Sequence, residues 1–104
     1  MKNTLEKLPW LKHYPEGIPA EIDPDIHSSL LEFFEINFKK FSDLPALENM
    51  SKSISYAEVD QLSRDFAAFL QSTGLKKGDR IALQMPNTLQ YPIALTGALR
   101  AGLI

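Results

Sequence analysis

Between residues 78 and 103 the chain reads GDRIALQMPNTLQYPIALTGALRAGL, and no other run limits the fold as much. A charged glycine turn leads into the short apolar run 81–85, which lacks clean alternation, as expected of a strand covered on both faces. Pro86 and Asn87 break that run, a nearly all-apolar helix follows, and Gly102 ends it. Strand, connector and helix make up most of a β-α-β unit. Leu103 and Ile104 open a new apolar run with no room to become the closing strand. The expected class is α/β with an incomplete crossover, a truncated portion of a larger domain.

Within this unit, Asn87 or Thr88 is the expected helix cap. Pro92 is expected to kink or restart the helix, because an interior proline removes a helical hydrogen bond. Ala94, Gly97, Ala98 and Ala101 are small, so a bulky partner is expected to pack close against this helix.

Two amphipathic helices and a hairpin are expected ahead of it. Ser29 and Glu32 fit a capping box. Leu30, Phe34, Phe38 and Phe41 then recur at helical spacing, widened by Phe33 and Ile36 into a core face. Lys39 and Lys40 suit the negative end of the helix dipole. Residues 46–50 and 53–56 read as two short strands around Ser51 and Lys52, a poor turn without Gly or Asn at its centre. Ser55 and Glu58 repeat the capping pattern. The helix they open carries Val59, Leu62, Phe66, Phe69 and Leu70 on one face, with Asp60, Arg64 and Gln71 turned away. Gly74 and Leu75 then form a Schellman-type stop.

Residues 1–26 form an expected proline-rich arm and residues 27–104 the truncated domain portion. Pro9, Pro15, Pro19 and Pro24 favour extended chain lying across the surface. Trp10 and Tyr14 are expected to pin it by burying their rings, with contact to a lipid interface as the alternative.

Charge and composition exclude several functions. The net charge is −2, with no clustered excess of Lys and Arg such as a nucleic-acid partner requires. Without cysteine there is no disulfide, thiolate metal site or thiol nucleophile. No run of about 18 apolar residues is present, the length a membrane-crossing helix needs.

Chemistry-bearing residues are few. There is no glycine-rich phosphate loop, nucleophile elbow or His-Glu-x-x-His pair. His13 and His27 stand alone, and Asp23 and Asp25 flank Pro24 as in a turn. Lys76, Lys77 and Arg80 surround Gly78 and Asp79 in what is best taken as a solvated turn. One place has a physical claim to a ligand. In parallel α/β sheets ligands lie beyond the carboxyl ends of the strands. That end here is Pro86 and Asn87, with Tyr91 one turn on; these three are the crevice candidates, weighed against an ordinary connector.

The block GLKKGDRIALQMPNTLQYPIALTGALRAGLI, preceded by ISYAEVDQLSRDFAAFLQ, HYPEGIPAEID and FSDLPALENM, resembles the N-terminal region of AMP-forming acyl-CoA synthetases, in particular the long-chain fatty acid–CoA ligases. The resemblance covers nearly the whole chain. It implies the N-terminal part of the large domain of an adenylate-forming enzyme. The parent would activate a long-chain fatty acid with ATP and Mg2+ to an acyl-adenylate, then pass the acyl group to coenzyme A. It would work in the cytoplasm, at the inner face of the membrane as a peripheral protein. The family's phosphate loop, adenine and metal motifs and catalytic lysine would lie downstream, so no catalytic, cofactor-binding or metal residue is expected within these 104 positions. The chain alone is expected to be inactive, to bind no cofactor and to self-associate. Medium-chain or aromatic acids are alternative substrates, and a non-enzymatic α/β interaction module is the alternative from another class.

Overall fold

A computed structural model describes residues 8–104; residues 1–7, the start of the expected arm, lie outside the described residues. Pro9–His13 forms a single 3-10 turn, with proline at a position where its missing N–H leaves no bond unmade. The expectation that Trp10 and Tyr14 pin the arm is not met. Trp10 is 50% exposed, and Tyr14, Ile18, Ile22 and Ile26 also face solvent. The Cα radius of gyration, 18.2 Å, exceeds the roughly 13 Å of a compact chain of this length, as an arm standing off the body requires.

Helix α1, Leu30–Lys40, starts where Ser29 Oγ accepts a hydrogen bond from the Glu32 amide at 3.0 Å. The return bond slips by one residue, because the Glu32 carboxylate takes the Ser28 amide at 2.6 Å. That bond, followed by one from the Ser28 hydroxyl, holds the Glu32 carboxyl below its usual value. A depressed carboxyl stabilises the fold above its unfolded-state pKa, and the contribution fades as pH falls through the lower folded value. Glu32→Gln is therefore expected to reduce stability at neutral pH and to match the parent chain at strongly acidic pH. Urea midpoints measured across that range check this; a pH-independent difference would remove the carboxylate from the explanation.

The expected core face of α1 is only partly inward. Phe38 is buried, while Leu30, Phe33 and Ile36 are exposed. Periodicity defined a wide stripe, but only the row nearest the hairpin and the later helices found partners.

Strands β1, Pro45–Asn49, and β2, Lys52–Ser55, pair antiparallel, with Asn49 opposite Lys52 and a register irregularity between Pro45 and Leu47. The two-residue turn is Met50 and Ser51, one position before the expected centre. Both have positive φ, 50° and 63°, which suits the right-handed twist of a tight hairpin. A left-handed conformation costs a non-glycine residue about 1–2 kcal/mol, and Met50 offsets none of this by packing, being almost fully exposed. Met50→Asn with Ser51→Gly is therefore expected to raise stability by about 1 kcal/mol. The shift of the urea midpoint measures it, and an unchanged midpoint would mean that the turn carries no strain.

Helix α2, Tyr56–Ser72, opens on a complete capping box: Glu58 N–H donates to Ser55 Oγ and Ser55 N–H to the Glu58 carboxylate. Its buried row is Val59, Ser63, Ala67 and Leu70, rather than the larger apolar face expected; Leu62 and Phe69 are exposed. Gly74 takes φ 89° beyond its C-terminus, and Leu75 packs into the cluster around Leu70.

Helix α3, Gln90–Arg100, begins later than expected and has no side-chain cap from Asn87 or Thr88. Pro92 consequently falls in the first turn, where its absent N–H breaks no helical bond, and the expected kink does not arise. Thr96 Oγ1, buried in the same helix, donates to the Pro92 carbonyl at 2.8 Å.

Residues 81–85 do not form a strand of a sheet. They run beside the body with alternating half-buried and exposed residues, so one face is covered rather than two. A single parallel rung does exist: Ile104 N–H donates to the Asp79 carbonyl and Ile81 N–H to the Ile104 carbonyl, both at 2.9 Å. One residue bonding to two that flank its neighbour is the parallel pattern, so the expected crossover is present in its first step. Helices, hairpin and this rung make up the described part of an α/β fold.

Two apolar clusters hold these elements. Phe38, Ile54 and Val59 form one, with Tyr56 and Ile93 against them; Leu70, Ala98 and Leu103 form the other, with Phe66 and Ile81. The small residues of α3 do admit a bulky neighbour: Phe66 of α2 lies over Gly97.

Candidate functional site

The connector after residue 85 and the end of β1 enclose a cleft of about 220 Å³. Asn87 and Tyr91 line it together with Glu48, Asn49 and Thr88; Pro86, the third crevice candidate, is not among its lining residues. The walls come together because the connector turns tightly, with Thr88 N–H donating to the Pro86 carbonyl at 2.8 Å and Tyr91 N–H to the Thr88 carbonyl at 3.2 Å. Asn49 Nδ2 crosses from the hairpin to the Asn87 carbonyl, a long contact of 3.4 Å. Its surface is mostly apolar, with Leu47, Leu89 and Pro92 beside two amides, a hydroxyl and a phenol, and Glu48 is its single charged group. Such a lining can orient a neutral polar group by hydrogen bonds. It offers no cation to hold a phosphate.

A larger apolar groove of about 360 Å³ shares Leu47 and Pro92 with this cleft and is lined further by Phe33, Phe34, Phe38, Phe41, Tyr56 and Leu95 among others. Its polar lining is limited to Asn37, Tyr56 and Thr96, and it holds no charged group.

The densest group of charges lies elsewhere. The guanidinium of Arg100, at the end of α3, donates to Glu35 of α1 at 2.8 Å and to Asp60 of α2. Its Nε donates to Ser63 Oγ at 3.1 Å, and the whole group lies 5.9 Å from the Phe38 ring. The Arg100 side chain is 6% exposed and Ser63 is fully enclosed. Each guanidinium nitrogen of Arg100 has a partner on another element, and among the described residues no buried side-chain N or O lacks one, which marks a structural clamp rather than a reaction centre. The sequence reading turned Asp60 away from the packed face; the structure brings it to a partner 40 residues later.

The remaining candidates behave as connectors. Asp23 Oδ1 accepts from the Asp25 amide in an Asx turn, and His27 stands edge-on to Phe33 at 5.1 Å. Asp79 caps its own loop by accepting from the Lys76 amide at 2.8 Å. Among the described residues no group of three or more His, Cys, Asp or Glu is placed to hold a metal ion, and the chain has no glycine-rich phosphate loop. No described residue is assigned to ATP, Mg2+ or coenzyme A.

The family model described as AMP-binding enzyme matches residues 34–104. The chain belongs to the AMP-binding enzyme family. Within it, the chain is 55% identical over 101 residues to a long-chain-fatty-acid–CoA ligase of Yersinia pestis, covering 96% of this chain and 18% of that protein. Among solved structures, MbtA of Mycobacterium smegmatis superposes with a TM-score of 0.69 at 33% identity, over 75% of this chain and 15% of its own. A fatty acyl-adenylate ligase of L. pneumophila gives 0.67 at 26% identity, over 81% and 16%. The chain thus spans about one sixth of the length of these three proteins, and its fold is that of an N-terminal portion of an adenylate-forming enzyme. Membership of the family removes the unrelated interaction module from consideration.

Proposed function

We propose that this chain is a structural part of the large domain of a long-chain fatty acid–CoA ligase. The parent activates a long-chain fatty acid with ATP and Mg2+ to the acyl-adenylate, releasing pyrophosphate. It then transfers the acyl group to coenzyme A, releasing AMP. The observation that carries this is the 55% identity, sustained across 96% of the chain, to the Yersinia pestis ligase. A piece of an enzyme for medium-chain or aromatic acids would be expected to resemble other members over a similar span. The same reading places the parent in the cytoplasm, acting at the inner membrane face; the exposed Trp10 ring suits the interfacial zone that tryptophan favours.

The part played by residues 8–104 is to clamp three helices together and to present the connector 86–89 at the mouth of the Asn87–Tyr91 cleft. Alone, the chain performs no ligation. It self-associates instead, because Leu95, Ile104 and the backbone of 82–85 remain uncovered. A chimera in which these residues replace the matching segment of the Yersinia pestis ligase tests the assignment. Palmitate- and coenzyme A-dependent release of AMP is expected from the chimera and none from the 104-residue chain. A soluble, folded chimera that had lost palmitate but retained an aromatic acid would overturn the long-chain assignment.

A further inference from the structure

We draw no further inference here: the strongest candidate, the apolar groove of about 360 Å³ between α1, the hairpin and α3, carries none because nothing in the structure shows what covers it.

Discussion

Replacing Asp60 by alanine is expected to destabilise this chain by about 3 kcal/mol, more than replacing its partner Arg100. The asymmetry follows from which charge is left in the interior. The Arg100 side chain is 6% exposed, Asp60 31% and Glu35 45%. Without Asp60, a guanidinium enclosed by Phe38 keeps Ser63 Oγ and the half-exposed carboxylate of Glu35 at 2.8 Å. Breaking a buried pair costs about 3–5 kcal/mol where no compensation remains, and this partial compensation sets the loss at the low end of that range. Arg100→Met removes the buried charge itself. The stranded carboxylates are open enough to hydrate, and Asp60 retains Arg64 at 3.2 Å, so the expected loss is about 1–2 kcal/mol. Glu35→Ala should cost less than about 1 kcal/mol, as for other half-exposed pairs. Urea unfolding of the three variants gives the order directly. A larger loss for Arg100→Met than for Asp60→Ala would show that the arginine stem and its contact with Phe38 matter more than the charges.

The second large effect concerns Gly97. A Cβ built there would lie 2.7 Å from Phe66 Cδ1 and 3.0 Å from the Ser63 carbonyl oxygen. The ring can swing, but the carbonyl belongs to the backbone of α2 and yields only if the helix moves. Alanine gains about 1 kcal/mol of helix propensity against an overpacking penalty of about 1–3 kcal/mol, so Gly97→Ala is expected to lose about 1 kcal/mol. Gly97→Val adds two methyls where there is no room and forgoes most of the propensity gain, with an expected loss of about 3 kcal/mol. In a Phe66→Leu background the alanine penalty should shrink by about 0.5–1 kcal/mol. Equal penalties in both backgrounds would locate the clash at the Ser63 carbonyl and at Phe66 Cβ, 3.1 Å away, which leucine retains.

These two positions also show what a sequence can disclose. The starts of α1 and α2 were legible, because a capping box is made by residues three apart and Ser55 with Glu58 needs no knowledge of the fold; the start of α3, which has no side-chain cap, was not. The glycine stop at Gly74 was legible for the same reason. The small residues of α3 announced a close neighbour, but nothing local says that the neighbour is Phe66. Likewise Asp60 looks like a surface residue until Arg100, 40 positions away, is brought to it. Leu62 and Phe69 fall on the apolar face by periodicity yet remain exposed, since periodicity defines a face without saying whether anything covers it. Of the cleft, Asn87 and Tyr91 were nameable from the rule that ligands gather beyond strand ends. Asn49 was not, because it reaches the site from a hairpin 38 residues earlier.

The rung between Ile104 and residues 79–81 bears on the order in which the chain folds. The hairpin closes over two residues and each helix is nucleated by its own first turn, so these form from contacts near in sequence. The rung joins residues separated by the whole of α3 and its connector. It can close only after α3 has docked on α2, since loop-closure entropy must be met before a distant pair stabilises anything. Weakening it should therefore accelerate unfolding while leaving the refolding rate almost unchanged, whereas weakening the α2–α3 contact at Gly97 should slow refolding as well.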